Sequence, residues 1–179
     1  MNFQFSIFNF QQKGFTLIET LVAITLLLAA ITGTLALFTQ GIQATSLARS
    51  TIIAFYLAQE PVEYIRRVRD GNRLALIVNG EVRDWLEGVR AACVDGAPCR
   101  IDVKNDTIAS CGGTCPVLLL DAAGIYNYAA GTPSVFVRTT SVTETVTGPR
   151  REALIDVTVS WTRGELVRSF RLRETIMNW

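Results

Sequence analysis

The apolar run "QQKGFTLIETLVAITLLLAA", residues 11–30, decides the fold of the first part of this chain. It carries a carboxylate, Glu19, near its start and a Lys-Gly pair just before it, and no side chain is charged from residue 20 to residue 48. At a rise of about 1.5 Å per residue, the densest stretch, residues 21–38, is long enough to cross most of a hydrocarbon core of about 30 Å. The sequence therefore predicts a single membrane-spanning helix.

Simpler kinds of apolar segment explain part of this pattern. A secretory signal has a short apolar region and an A-x-A-like cleavage site. This run is longer and contains no A-x-A between residues 23 and 48. A looser cleavage site of small residues at 32–34 is the remaining possibility for a signal. A plain uncleaved anchor explains the length but gives Glu19 no role. Thr16 and Glu19 have the spacing of a capping box, in which a hydroxyl and a carboxylate satisfy free N–H groups at a helix start.

The whole string Gly14-Phe15-Thr16-Leu17-Ile18-Glu19, followed by a long apolar helix, closely resembles the N-terminus of type IV pilins and of the pseudopilins of type II secretion. The resemblance implies that a membrane prepilin peptidase cuts between Gly14 and Phe15 on the cytoplasmic side and then N-methylates Phe15. The leader, residues 1–14, has one basic side chain and is less basic than the leaders of that family.

The chemistry of Glu19 agrees with this resemblance. A charged side chain at a bilayer centre costs roughly 2.5–3.5 kcal/mol on insertion scales. Cleavage before Phe15 would create an α-amine with an ordinary pKa of about 7.7–8.0, and monomethylation keeps its charge. If Glu19 paired with the Phe15 ammonium of a neighbouring subunit, much of the cost would be removed and the register of the packed helices would be fixed. We therefore expect Glu19 to be an assembly residue, and a capping role is compatible with this.

Helical spacing continues beyond the apolar run. Apolar residues recur every three or four positions over residues 53–68, as in a helix that packs on a sheet. Pro61 predicts a kink near Leu57, and residues 70–72, Asp-Gly-Asn, predict the helix end. The stretch from residue 57 to residue 70 also resembles a segment of bacterial minor pilins.

The remainder of the chain predicts a β-rich head. Residues 81–92 predict a short helix with Trp85 and Leu86, and residues 117–120 and 134–138 predict strands. The alternation in "ALIDVTVSW", residues 153–161, predicts another strand, which Arg163-Gly164 turns into a last strand over residues 165–176. We interpret the large aromatic residues as core, with a ligand-binding platform as the alternative; they are Trp85, Trp161 and Phe170.

Together these segments predict an α+β, pilin-like fold. A long N-terminal helix, whose first half spans the membrane, packs on a C-terminal antiparallel β-sheet. The expected organisation is a cleaved leader at residues 1–14, a transmembrane and assembly helix at 15–40, an amphipathic continuation of that helix at 41–72 and a globular β-rich head at 73–179.

Composition excludes several functions. The chain has no histidine, which removes His-based acid–base catalysis, Ser-His and Cys-His nucleophiles and His-ligated metals. Its formal net charge of +1 gives no basic field for nucleic acid. No catalytic residue, cofactor or metal site is predicted, and the protein is not expected to be an enzyme.

Two groups of charged residues are candidate binding sites. Three carboxylates lie near loops but lack the spacing of a calcium-binding EF-hand, so solvated loop charges are the simpler interpretation; they are Asp102, Asp106 and Asp121. The densest basic groups are read as surface ion pairs, with contact to DNA or another polyanion as the minor alternative; they are Arg150-Arg151, Arg168, Arg171 and Arg173.

All four cysteines lie in two turn-rich stretches, "CVDGAPC" and "CGGTC". An exported head favours disulfides, either as two local bridges, Cys93–Cys99 and Cys111–Cys115, or as crossed bridges that join the two loops. A four-cysteine zinc site is the alternative, although the spacings match the usual zinc pairs poorly.

The sequence thus predicts a structural subunit, most similar to a minor pilin, of a type IV pilus or related filament. The implied partners are the prepilin peptidase, other pilin subunits, the inner-membrane assembly platform and the membrane itself. The protein would lie in the inner membrane as a single-pass protein with an exported head, and then in a cell-surface or periplasmic filament. The alternatives are a type II secretion pseudopilin and a membrane-anchored extracellular binding module that does not polymerise.

Overall fold

The computed structural model describes residues 14, 16–147 and 150–178 of the 179-residue chain. These residues divide into two compact units, and the division falls between Leu47 and Ala48. The head is the second unit, which begins at Ala48 and includes the second part of the long helix. One long helix, α1, spans Leu17–Asn79, and a one-turn helix, α2, spans Arg90–Cys93 and leads into a 3₁₀ turn at Val94–Gly96. The seven strands are β1 (Cys99–Asp102), β2 (Thr107–Ser110), β3 (Val117–Leu120), β4 (Tyr126–Asn127), β5 (Thr132–Thr147), β6 (Arg150–Arg163) and β7 (Leu166–Met177).

The fold is the expected α+β, pilin-like arrangement of a long N-terminal apolar helix and a C-terminal antiparallel β-sheet. β5, β6 and β7 form an antiparallel meander, and Arg163 pairs with Leu166 across its second turn. One edge of β5 is paired with β6 along its length. Its other edge is long enough to pair with β3 near Thr132 and with β1 at Thr140, and β4 and β2 pair with the outer edges of those two strands.

The core of the head lies between the sheet and the part of α1 that follows Ala48. Ala54, Leu57, Ala58, Val62 and Ile65 are buried on one face of the helix. The period-2 pattern predicted for β6 is confirmed, because the residues of one face are at most 4% exposed; they are Ala153, Ile155, Val157, Val159 and Trp161. Trp85 and Phe136 complete this core, so the core interpretation of Trp85 and Trp161 is confirmed.

The predicted helix end at residues 70–72 is wrong, because α1 continues to Asn79. The following seven residues, "RLALIVN", include strong helix formers. Asn72 does not end the helix, since its side-chain amide donates to the carbonyl oxygens of Trp85 (3.4 Å) and Glu87 (3.1 Å). The helix stops instead at Gly80, whose φ of 69° is left-handed.

The helix predicted over residues 81–92 is also largely wrong. Only Arg90–Cys93 is helical, and Trp85 and Leu86 lie in turns, although both are buried. The Asp84 carboxylate accepts the N–H of Leu86 at 3.0 Å, which holds a turn in place of a helix. Gly88 then takes a φ of 91°, which a helix does not accommodate.

A buried arginine joins α1 to the sheet at Pro61. Proline has no N–H, so the carbonyl of Leu57, four residues earlier, lacks its usual helical donor. The guanidinium of Arg138, on β5, donates to that carbonyl at 3.0 Å and to the carboxylate of Glu60 at 2.6 Å. It also donates to the Ile101 carbonyl on β1 at 2.6 Å, and its side chain is only 1% exposed. One side chain thus satisfies the carbonyl freed by the proline and ties together α1, β1 and β5.

Candidate functional site: the N-terminal segment

Thr16 caps the start of α1. The N–H of Glu19 donates to the Thr16 hydroxyl at 3.3 Å, and the N–H groups of Glu19 and Thr20 donate to the Thr16 carbonyl at 3.1 Å each. This is the Thr16 half of the capping box that the sequence predicts. Glu19 lies in the first turn, where the helix dipole favours a carboxylate. Gly14 is exposed just before this cap, and Phe15, the residue expected to become the N-methylated terminus, lies outside the described residues.

Glu19 stands in an exposed surface that is largely apolar. Every described residue from Gly14 to Thr45 is exposed. The exposed large side chains around and after Glu19 include Leu17, Ile18, Leu21, Val22, Ile24, Leu26, Leu27 and Leu28. They lie on all sides of the helix. A surface of this kind requires lipid or neighbouring helices around it.

The threonine hydroxyls of this segment are satisfied within the helix. The hydroxyls of six threonines donate to carbonyl oxygens three or four residues earlier, at 2.8–3.2 Å; they are Thr20, Thr25, Thr32, Thr34, Thr39 and Thr45. An unpaired hydroxyl would be costly in hydrocarbon, and these back-bonds remove that cost. Within the described chain α1 is the one helix long and apolar enough to cross a membrane, and its most apolar window is not buried at all.

In the head, the cysteines lie in two local pairs. The Cα atoms of Cys93 and Cys99 are 5.2 Å apart, and those of Cys111 and Cys115 are 4.8 Å apart, and each pair forms a disulfide. This is the local arrangement rather than the crossed one. Cys93 and Cys99 are completely buried beside Val89 and Ile101 in the core, whereas Cys111 is partly exposed. No described group of three or more His, Cys, Asp or Glu residues has the geometry of a metal site.

The three carboxylates considered as calcium ligands are bound to other groups. Asp102 is buried, which raises its pKa, but hydrogen bonds from Asn105 and from the N–H of Tyr128 outweigh this and leave the pKa below its usual value. Asp106 pairs with Arg67 at 2.7 Å. Asp121 pairs with Lys104 and accepts two backbone N–H groups, and these contacts lower its pKa. Asp106 is an exposed loop charge, as interpreted. The interpretation as a solvated loop charge is wrong for Asp102, which ends β1 and is only 3% exposed.

The ion-pair interpretation is supported for Arg171 and Arg173 by their contacts. Arg171 and Arg173 project from the same face of β7, and both donate to the carboxylate of Asp156 on β6, at 2.7 and 2.8 Å. The hydrogen bond from Arg171 is the main reason that the pKa of Asp156 lies below its usual value.

Sequence reasoning missed a charged cluster at the other end of the meander. The carboxylate of Glu144 accepts the indole N–H of Trp85 at 2.9 Å and pairs with Arg90 (2.6 Å) and Arg151 (2.9 Å). Asp84 pairs with the same two arginines. Burial raises the pKa of Glu144, but the hydrogen bonds and positive charges around it outweigh burial and lower the pKa overall. The cluster joins the turn at Trp85 to β5 and β6. Its signals in the sequence were Arg151, interpreted there as part of a surface ion pair, and the spacing of Glu144 in phase with Val142.

Comparison with known proteins gives one match, and it falls on the N-terminal segment. Residues 9–35 match the family described as the prokaryotic N-terminal methylation motif, a range that includes Gly14, Phe15 and Glu19. This motif marks type IV pilin-like prepilins, so it supports a pilin- or pseudopilin-like protein and points to a structural subunit rather than an enzyme. The match ends before the head begins at Ala48. No curated protein and no solved structure matches the chain.

Proposed function

We propose that this chain is a prepilin that becomes a minor subunit of a type IV pilus or a related filament. The observation that carries the proposal is an apolar helix with no buried residue in its most apolar window, whose first turn holds Glu19 within the matched methylation motif. Such a helix needs partners outside its own chain, and Glu19 needs a cation to offset its charge in an apolar surrounding.

The processing steps follow from the motif. Prepilin peptidase cleaves between Gly14 and Phe15 and N-methylates Phe15, and the helix stays in the inner membrane because it lies after the cut. The assembly platform then transfers the subunit to the filament, where Glu19 pairs with the N-methylated Phe15 of a neighbour. The head is exported, which agrees with its two cysteine pairs. Loss of Lys13 with the leader leaves equal numbers of basic and acidic side chains, so nucleic acid is not an expected ligand.

Mass spectrometry of the mature N-terminus tests the processing. Protein is taken from native membranes and from sheared surface filaments, with a Gly14→Glu variant as the unprocessed control. We expect an N-methylated Phe15 terminus in the filament fraction and an intact leader in the variant. An intact Met1 terminus in wild-type protein, confined to membranes, would reduce the helix to an anchor and favour the binding module that does not polymerise.

The role of Glu19 is tested separately. Glu19→Gln keeps the size and capping position of the side chain but removes its charge, and Glu87→Gln, on the surface of the head, is the matched control. We expect Glu19→Gln to be processed normally but lost from filaments, while the control is incorporated. If the wild-type subunit were incorporated into a filament that supports protein secretion but forms no surface pili, the chain would instead belong with the pseudopilins of type II secretion.

A further inference from the structure

The outer edge of β7 is unpaired in the part of the chain that the structure describes: β7 pairs with β6, and no other described strand lies beside it. The two-residue turn between Arg163 and Leu166 makes these two residues a hydrogen-bonded pair. Asn178 is an even number of residues from Leu166, and its N–H likewise donates towards β6, to the carbonyl of Arg151 at 3.0 Å. Even-numbered residues of β7 therefore direct their N–H and C=O groups to β6, and odd-numbered residues direct theirs to the open edge.

The side chains of this strand are self-complementary about Arg171. We propose that the open edge of β7 pairs in antiparallel fashion with β7 of a second copy of this chain, with Arg171 opposite Arg171 of the partner. This register places Leu166 opposite Ile176, Arg168 opposite Glu174 and Phe170 opposite Leu172, each pair occurring twice. Two kinds of apolar contact and one kind of ion pair thus fall on the face that carries α1.

The hydrogen-bond phase fits the same register. The two Arg171 residues, whose backbone groups point to the open edge, form the central hydrogen-bonded pair. The even-numbered residues then form non-hydrogen-bonded pairs, in which side chains approach more closely. Opposite-charge and apolar cross-strand pairs are the ones that stabilise a sheet.

Neighbouring registers lose this complementarity. A shift of two residues in one direction places Leu166 opposite Glu174 and Arg168 opposite Leu172. A shift in the other direction places Phe170 opposite Glu174 and Arg168 opposite Ile176. Each shift sets charged side chains against apolar ones, so the side chains select the register centred on Arg171.

Exposure indicates what the pairing would cover. Leu166 and Val167 are 62% and 73% exposed, and Phe170 and Leu172 are partly exposed. The repulsion between the two Arg171 side chains opposes the pairing, but each is held by Asp156 of its own chain, which offsets part of that charge.

The symmetry identifies which copies can meet. Phe55 contacts Phe170, with ring centroids 5.7 Å apart, and Arg66 pairs with Glu174, so this part of α1 runs in the same direction as β7. The two-fold axis of the pair is normal to the sheet and reverses both directions. The contact therefore joins heads that point in opposite directions, as on two filaments or two facing membranes, and not neighbours within one filament. It does not depend on processing at Gly14.

Cysteine cross-linking of the full chain in detergent tests the register. Two Arg171→Cys residues would face each other with Cα atoms about 5.5 Å apart, which suits a disulfide. Ser169→Cys and Arg173→Cys are matched controls on the same face, since each would lie about 14 Å from its own copy along the strand. We expect a covalent dimer from Arg171→Cys and little from the controls. Equal cross-linking at all three positions, or none at Arg171→Cys, would overturn the proposal.

Charge reversal tests the ion pair and controls for folding. Alone, Arg168→Glu sets two glutamates against each other in each pair and Glu174→Arg sets two arginines, so each variant is expected to self-associate roughly tenfold more weakly than wild type. Mixed together, the two variants restore both ion pairs and should form a heterodimer. Because the mixture contains only variant chains, its association also shows that they fold. Wild-type protein that stays monomeric in sedimentation, or a mixture that associates no better than either variant, would contradict the pairing.

Discussion

The segment before Ala48 and the head after it differ in where their apolar side chains lie. In the first segment Leu21, Ile24 and Leu28 are 55–60% exposed, whereas in the head Ile65 and Ile155 are not exposed at all. The head has its own core, and its stability is set within one chain. The first segment has none, so its apolar surface is covered only by lipid or by other subunits.

The same difference explains why the two regions are unequally recognisable. The proposed role of the first segment depends on an external peptidase and on neighbouring copies, and the residues expected to carry it form a short string around Gly14 and Glu19 within the matched family motif. The head is specified by alternation, turns and volumes spread over more than a hundred residues. Many different sequences satisfy such conditions. The fold of the head can therefore be predicted from its pattern although no curated protein or solved structure matches it.

The largest effect on the head is expected from Arg138→Ala. It removes a buried cation, leaves the carbonyls of Leu57 and Ile101 without their donor and leaves Glu60 unpaired. We expect a loss of about 3–5 kcal/mol in the free energy of unfolding. Chemical denaturation followed by tryptophan fluorescence measures it, with Arg138→Met as the control that keeps most of the volume and should cost less.

A double-mutant cycle with Pro61→Ala tests the cause. Alanine at position 61 would supply the missing N–H to the Leu57 carbonyl, so Arg138→Ala should cost about 1 kcal/mol less in that background. An unchanged cost would mean that the Leu57 carbonyl is not what makes Arg138 necessary.

The two disulfides are expected to contribute different amounts to the free energy of unfolding of the head. In the chain-entropy model each short loop contributes about 2 kcal/mol, but Cys93 and Cys99 are also packed in the core, and Cys111 is partly exposed. We expect Cys93→Ala/Cys99→Ala to lower the free energy of unfolding by about 2–4 kcal/mol and Cys111→Ala/Cys115→Ala by about 2 kcal/mol. Denaturation of the two double variants under non-reducing conditions compares them. A larger loss of stability in Cys111→Ala/Cys115→Ala would show that burial does not decide which disulfide contributes more.

The Glu144 cluster should give the head an acid-sensitive contribution. The pKa of Glu144 is lowered in the folded protein, so its contribution is present above the unfolded pKa of about 4.3 and is lost as pH falls through the lower folded value. We expect Glu144→Gln to cost about 1–2 kcal/mol near pH 7. The gap to wild type should narrow below about pH 4. Unfolding measured from pH 7 to pH 3, with Glu87→Gln as control, follows this, and a gap that widens in acid would contradict it.

Local patterns account for much of what the sequence predicted. The period of "ALIDVTVSW" placed Ile155, Val157 and Val159 in the core, and the Arg163-Gly164 turn gave the β6–β7 hairpin. The apolar run and Thr16 gave the helix and its cap. These features depend on residues that are close in the chain, which is why a single sequence reveals them.

Several of the misses came from contacts between distant residues. Asn72 was expected to end α1 but donates to the carbonyls of Trp85 and Glu87. Arg138 lies in phase with the inward-facing residues of β5, and the groups that explain a cation there, Glu60 and the carbonyls of Leu57 and Ile101, are distant in the chain. Short strands such as β1 have little periodicity of their own and depend on the long β5 for their position.

The smallest effect on stability is expected from Glu19→Gln, the substitution expected to be most damaging to assembly. Glu19 belongs to the unit that ends at Leu47 and is exposed there. The free energy of unfolding of the head should therefore change by less than about 0.5 kcal/mol. Arg138→Ala should do the reverse, since it weakens the head but leaves the cap and carboxylate of α1 in place. If Glu19→Gln destabilised the head by more than about 1 kcal/mol, the two units would be energetically coupled. Loss of filaments could then follow from misfolding, and only an unaffected head lets that loss report on the Glu19 carboxylate itself.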